Sequence, residues 1–447
     1  MVTIYLMLLF AVPSNLTISA LGSLGRPSVL FGLLLMLWWI LTRFQRRVRG
    51  FAPVWQPVRL AFGALVVIAL VSFAAAMLRG QPADQVTPAM TSLLRIVSWG
   101  GVMLVVMDGI GTRHESDRLG SRIVLAGAYL GLLGIGEFVA GGSLVDWTAS
   151  LPGVALDAGG VDSRGGFTRA SGTATHPLEY TAAIAAILPL AITRAASRSA
   201  AAPVGEWSRW VRWLPVAIMA VAALLSVSRS AVIGLVIAGV AVLLQMPRSY
   251  RWPLLMGAGA AALSVVALVP GVFRTTLALF TSAADDPSTT SRTDALARVP
   301  EFMGTSPLVG QGFGTFLPRY YIFDNQWVLV TIELGLLGAA ALAGVAIAAI
   351  VGSVNARRVA PDARTKFTSA AIAASMLTIA VLFLFFDGLS FPIAAGLFFL
   401  FAGYSGAERA LAAAGARTSL DASPRGTEPR VRAARHARVE ARRADPR

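Results

Sequence analysis

Apolar runs of about twenty residues recur along the whole chain, and they constrain its fold more than any motif does. A helix needs about 20 such residues to cross a bilayer, and backbone in lipid must satisfy its own hydrogen bonds, which leaves helices as the natural solution. About twelve runs qualify, over 3–21, 28–43, 57–78, 91–109, 121–140, 178–194, 212–227, 230–246, 252–270, 326–351, 367–386 and 390–405. Pro13 and the polar Ser14-Asn15 interrupt the first, and only Ser226-Val227-Ser228-Arg229 separates the pair at 212–246, which predicts a tight helical hairpin. The chain is 56% hydrophobic and only 14% charged, with mean hydropathy +0.68, where soluble domains carry roughly 25% charged residues. The expected fold is all-α: a polytopic integral membrane protein with about 12 transmembrane helices and a large external loop containing short helices.

The formal charge is +15, and Lys366 is the sole lysine among 38 basic residues. A nucleic-acid surface would gather that charge on one face. Here it alternates between loops: Arg43, Arg46, Arg47 and Arg49, then Arg113, Arg118 and Arg122, then Arg194, Arg198, Arg209 and Arg212, then Arg248 and Arg251, then Arg357, Arg358, Arg364 and Lys366. That is the positive-inside pattern, so no nucleic-acid partner is expected. Both termini fall inside, and the loops 79–90, 141–176 and 271–325 face out. The organisation read from this is a transmembrane domain over 1–405 and a basic, disordered cytoplasmic tail over 406–447. The N-terminal run lacks a basic start and a small-residue cleavage site, so it reads as a retained span. An Ala- and Arg-rich, Lys-poor composition fits a GC-rich bacterial genome, hence a multi-pass protein of a bacterial cytoplasmic (inner) membrane. With no cysteine, disulfides, Cys-based zinc sites and thiol nucleophiles are excluded.

Against this apolar background, residues 287–338 stand out as a long polar stretch running into an apolar helix. Non-helical polar backbone must face water, a cavity or a partner, so function is expected there. A short amphipathic helix is predicted over 292–303, with Leu296, Val299 and Phe302 packing down and Arg292, Asp294 and Glu301 facing a cavity. Asp324 suits general-base work and equally suits capping the helix that follows. Glu333, inside an apolar run, implies a buried partner or site. Arg95 lies near the outward end of a span, where snorkelling and a lipid-phosphate contact compete. His176, one of three histidines, either caps the helix after Pro177 or faces substrate, and Glu179 and Tyr180 follow one turn later. The tryptophans at 207, 210 and 213 form an interfacial anchor, and Gly127 and Gly131 give close helix packing. No outward loop carries an acidic cluster able to hold a divalent ion, because Asp285-Asp286 alone reads as a solvated turn.

Four segments in order carry a resemblance: RASGTATHPLEY at 169–180, SRSA at 228–231, SRTDALARVPEF followed by SPLVGQGFGTF, and DNQWVLVTIELGLLG at 324–338. Together they resemble the O-antigen ligase and O-antigen polymerase family of membrane glycosyltransferases over roughly 165–345. The resemblance implies glycosyl transfer at the outer face of the membrane from an undecaprenyl-pyrophosphate-linked glycan donor to a glycan or lipid acceptor. Membrane lipids and other polysaccharide-assembly proteins are the further partners, and no cofactor or metal is implied. Arg229 and Arg292 match the family's functional arginines. A guanidinium binds phosphate oxygens bidentately and stays charged, which suits a pyrophosphate leaving group and replaces a metal cation. The site expected on this basis has Asp324, Arg292 and Arg229 as catalytic residues and Arg169, His176, Glu179, Tyr180, Asn325 and Glu333 as substrate-binding residues. Ligases of the family place His before the Asn of the last segment; Asp324 stands there in this chain, which favours polymerase over ligase. A transporter or flippase is the competing class, and it would place broken helices and midplane charges in both halves. A non-catalytic scaffold would tolerate loss of Arg229, Arg292 and Asp324.

Overall fold

The structure is a computed structural model describing residues 1–45, 55–157, 159, 162–164, 166–197, 206–269, 271, 274–275, 277, 281, 296–303 and 306–422. Among these residues seven helices are long and apolar enough to cross a membrane: α3 (Pro57–Leu78), α4 (Ala83–Gly109), α5 (Arg113–Ala140), α6 (Pro177–Ala196), α9 (Arg248–Leu268), α10 (Gln326–Val359) and α11 (Ala363–Leu382). Three of the expected runs form shorter apolar helices, within α2 (Pro27–Gln45), α7 (Glu206–Leu225) and α8 (Arg229–Gln245). The bundle is completed by α1 (Val2–Phe10) and α12 (Pro392–Ala422).

Burial separates central helices from peripheral ones. In α6, 83% of the apolar window is buried, against 6% in α9. The first half of α12 is apolar all round, and Ile393, Leu397, Phe398, Phe399, Leu400 and Phe401 are each 0% exposed. A helix of that kind belongs in a core, and α12 packs on α4, α10, α11 and α6. Its Phe399 stacks on Trp99 of α4 at 5.2 Å. The Gly127/Gly131 spacing does pack closely: a Cβ at Gly127 would meet Ile187 and Met219, and one at Gly131 would meet Ile218.

Two sequence expectations are corrected here. The first run is no continuous helix over 3–21, because α1 stops at Phe10, ahead of Pro13, and the chain turns back through the strand β1 (Leu16–Ile18). The residues that interrupt the run dock it: Ser14 donates through Oγ to Glu179 (3.0 Å), Asn15 donates through Nδ2 to the Asp157 carbonyl (3.0 Å), and β1 pairs antiparallel with β2 (Val154–Leu156). A second hairpin, β3 (Asp162–Arg164) with β4 (Phe167–Arg169), completes this lid of loop structure. The tail boundary at 405/406 falls inside α12, which continues to Ala422. Its Ala-rich sequence is a strong helix former, and buried Glu408 ties it to Ser116 (2.5 Å) and Arg113 (2.6 Å) of α5. Residues 423–447 of the expected tail lie outside the described residues.

At the end of the bundle where the basic loops lie, three acids take five arginines. Asp108 takes Arg43 and Arg59, Asp117 takes Arg364 (2.7 Å) and Arg194 (3.8 Å), and Glu408 takes Arg113. The opposite end carries the broken helix described next.

Candidate active site

The site is built on a break in α10. Gly335 sits at φ 71°, ψ −175°, which interrupts the helix and leaves the last carbonyls of one half and the first amides of the next without helical partners. The Pro-Leu-Val-Gly-Gln-Gly segment at 307–312 supplies both sets. Gln311 and Gly312 donate to the carbonyls of Ile332 (3.1 Å) and Glu333 (2.8 Å), and the amides of Leu336 and Leu337 donate to Pro307 (2.9 Å) and Leu308 (3.2 Å). The glycines are required by closeness. A Cβ at Gly335 would lie 2.2 Å from the Leu308 carbonyl oxygen, and one at Gly310 would lie 2.3 Å from that of Glu333. Two of the segments singled out in the sequence are thus one structural unit.

Glu333 closes this unit. One carboxylate oxygen accepts from Gly314 (2.9 Å) and Phe316 (3.3 Å), and its carbonyl accepts from Ser72 Oγ (3.0 Å). The segment it holds carries an aromatic cluster in which Phe302, Phe316, Tyr320, Tyr321 and Phe323 pack edge to face or tilted. The expected short helix is present over 296–303, with residues 292–295 outside the description. Val299 and Phe302 pack down as expected. Leu296 does not, being 54% exposed. Arg298 stacks over Phe302 and Tyr321 at 5.6 and 5.2 Å.

At the start of α10 the capping group is Asn325, whose Oδ1 accepts from Trp327 (3.0 Å) and Val328 (3.2 Å). Capping therefore does not fall to Asp324. Asp324 instead adopts φ 47°, one of two non-glycine residues at positive φ among the described residues, the other being Val227 at 44°. Such strain costs on the order of 1–3 kcal/mol and persists where the surroundings enforce it, often at functional sites. The enforcing contacts are visible: the amide of Asn325 donates to Asp387 Oδ1 (3.0 Å), that of Gln326 donates to Phe383 (2.8 Å), and Gln326 Oε1 accepts from Leu389 (2.7 Å). Asp387 lies in the turn between α11 and α12. Burial, and after it the nearby Asp324 charge, push its carboxyl up to about 6.

These pieces enclose a cavity of about 610 Å³ whose polar lining includes Arg95, His176, Asp324, Gln326, Glu333 and Asp387. Its walls are largely aromatic, with Trp99, Phe313, Phe316, Tyr321, Phe323, Phe386 and Phe391. Arg95 projects from α4 and makes no hydrogen bond or ion pair with a described residue; its Nε is buried without a partner. A guanidinium in an aromatic-walled cavity is a donor group that suits phosphate or carboxylate oxygens. His176 caps α6 by accepting the Leu178 amide at Nδ1 (3.1 Å). With Nδ1 accepting, the proton of the neutral ring is on Nε2. No group of three His, Asp or Glu able to hold a metal ion occurs among the described residues.

The remaining expected residues lie elsewhere. Glu179 is fully buried and does not line the cavity. Its oxygens accept from Ser14, from the Thr175 amide (2.7 Å) and from the Ile393 amide at the start of α12 (2.6 Å). Tyr180 is equally buried, with its hydroxyl 3.5 Å from the Gly131 carbonyl. Arg169 pairs with Asp162 (2.9 Å) across the β3–β4 hairpin. Arg229 opens α8 just after strained Val227, which packs in one apolar cluster with Phe167 beside Arg169. Neither Arg169 nor Arg229 lines the cavity, and Arg292 lies outside the described residues. Arg95 and Asp387 are the residues the sequence reading did not place in the site. Both carried a signal, since each is a lone charge in an otherwise apolar stretch.

The fold and site together are a bundle of apolar helices with a polar, arginine-bearing cavity under a broken helix at one end. Residues 214–343 match the family model for O-antigen ligase. That stretch of the chain is thus similar to O-antigen ligases. The match takes in Arg229, the glycine segment, Asp324 and Glu333, whereas Arg95, His176 and Asp387 complete the cavity from outside it. Comparison with curated proteins gives no match.

Proposed function

We propose that the protein is a metal-independent glycosyltransferase that polymerises a bacterial envelope polysaccharide at the outer face of the cytoplasmic membrane. Its donor is a glycan carried on undecaprenyl pyrophosphate. The observation that carries this reading is the convergence of Arg95, Asp324 and Asp387 on one cavity, partly inside the matched region. In the reaction the acceptor hydroxyl oxygen attacks the anomeric carbon of the donor glycan. The bond from that carbon to the pyrophosphate oxygen breaks, its electron pair leaves with the pyrophosphate, and the hydroxyl proton passes to a carboxylate. Arg95 supplies fixed positive charge for the leaving group, with Arg229 and Arg292 guiding the donor from the loop side. Asp324 serves as general base, and its support is twofold: Asn325 relieves it of capping, and its strained backbone is held toward the cavity. His176 donates to substrate from the opposite wall.

The test is deletion of the gene and complementation with Arg95→Gln, Asp324→Asn and Arg292→Ala. Accumulation of single-repeat lipid-linked units supports polymerisation. Long lipid-linked chains that fail to reach an acceptor indicate ligase-type transfer instead. Unchanged glycan in every strain overturns both.

A further inference from the structure

A second pocket, of about 380 Å³, opens at the other end of the bundle, between the start of α5, the end of α6 and the starts of α7 and α11. We infer that it is a binding site for a phosphate ester, of the kind presented by an anionic phospholipid headgroup.

Three arginines line it, Arg194, Arg212 and Arg364, against a single carboxylate, Asp117. That carboxylate is already shared: Arg364 reaches one oxygen at 2.7 Å, and Arg194 lies 3.8 Å from the other while donating to Ser121 Oγ at 2.5 Å. Arg212, half-buried in the wall, makes no hydrogen bond or ion pair with a described residue. Among the described lining residues one acid faces three guanidinium groups, which gives the lining a positive balance in a partly desolvated space. The other clusters at this end behave differently. Asp108 serves two arginines and Glu408 one, by direct ion pairs.

A phosphate ester fits the excess. Its non-bridging oxygens match guanidinium forks, which bind phosphate as planar, bidentate donors. The remaining wall points to a lipid as the bearer. Val124, Phe367 and Leu125 line the pocket, and Leu125 is 62% exposed on the outer surface of α5, which gives an acyl chain an apolar path away from the charges. Basic pockets between transmembrane helices at this membrane level are suited to anionic headgroups. Nothing in this site takes part in the proposed glycosyl transfer.

The test uses the purified full-length protein in detergent, with thermal unfolding followed during titration with phosphatidylglycerol, phosphatidylcholine or inorganic phosphate. A ligand that binds only the folded state raises Tm with its concentration. Phosphatidylglycerol is expected to raise Tm where phosphatidylcholine does not, and Arg212→Gln is expected to shift the titration to about tenfold higher concentration. Arg212 bonds to no described residue, so the ligand-free Tm of this variant should match wild type. Arg358→Gln, which removes an exposed arginine outside the pocket, should leave the titration unchanged. A rise with inorganic phosphate alone, abolished by Arg212→Gln, keeps the phosphate site and assigns it to a soluble ligand. No rise with either, or an equal effect of the two substitutions, overturns the inference.

Discussion

Two loop-to-helix junctions meet at the same cavity, and they use their acids in opposite ways. At the start of α6, His176 caps the helix and Glu179 is consumed by three bonds, to Ser14 in the turn after α1, to the Thr175 amide and to the start of α12. At the start of α10, Asn325 takes the cap, Glu333 holds the glycine segment, and the two aspartates Asp324 and Asp387 line the cavity. Both junctions place ionisable groups in an apolar bundle, where such groups are costly and suggest a function. A buried carboxylate whose oxygens all accept backbone or hydroxyl hydrogens is structural. One relieved of capping, lining the cavity with a second acid, is the one to which the proposed reaction gives the proton transfer. The α6 junction is therefore a clamp, and the proposed reaction assigns the chemistry to the α10 junction.

The largest way to break this contrast is to remove the scaffold of the α10 junction. Gly335→Val sets a β-branched residue at φ 71° with a Cβ site 2.2 Å from a carbonyl oxygen. Neither the backbone nor the neighbour can yield, so destabilisation of about 4 kcal/mol or more is expected. The outcome is loss of folded protein from the membrane fraction, measured by immunoblot and fluorescence-detected size exclusion. Normal abundance with an intact melting transition would show that the break in α10 is not held by this segment.

Next in size is Asp324→Asn. Asparagine tolerates the left-handed region as well as aspartate does, so Tm should stay within a degree or two while transfer activity falls about 10²–10⁴-fold. Loss of activity in parallel with loss of folded protein would return Asp324 to a structural role.

Legibility from sequence follows the same divide. The helices could be read because their signal is local: about twenty apolar residues with arginines in alternate loops. The glycine segment and the Glu-Leu-Gly segment could be read as motifs, but that each satisfies the other's broken backbone could not, since nineteen residues separate Gly314 from Glu333 and only the fold joins them. The clamping bonds of Glu179 are not legible in sequence because its partners Ser14 and Ile393 lie 165 and 214 residues away. A buried acid looks the same in sequence whether clamped or reactive. Asp387 was passed over for a related reason: its neighbours are apolar, and its significance comes from Asp324 across the cavity. The end of α1 shows the reverse case, in which a polar interruption weakened the helix reading and turned out to be the docking contact.

The clamp is tested by Glu179→Gln. The amide keeps one acceptor oxygen and presents an NH₂ toward the Ile393 amide or the Thr175 amide, leaving at least one buried donor unsatisfied at about 1–3 kcal/mol. Tm should drop by several degrees, while kcat per folded molecule stays at the wild-type value. A fall in kcat without a fall in Tm would make Glu179 part of the chemistry and erase the contrast between the junctions.

The mildest test is the pH response of Asp387. Its carboxyl is raised from 3.8 to about 6, by burial first and by the Asp324 charge second. The folded state therefore holds this proton over a window in which the unfolded chain has released it. Its contribution to stability is greatest below about pH 4, declines as pH rises from about 4 to 6, and is level above that. Activity should move the other way, rising through about pH 6 as Asp387 loses its proton and the cavity gains a carboxylate that can accept the acceptor's. Asp387→Asn retains an oxygen for the Asn325 amide, so the junction stays assembled while the titrating group is gone. The variant should lose both the decline in Tm and the rise in kcat across pH 4 to 6, which separates Asp387 from Asp324, whose replacement removes activity at every pH. If the rise near pH 6 persists in Asp387→Asn, the titrating group lies elsewhere in the cavity, and the pairing of the two aspartates carries no part of the proton transfer.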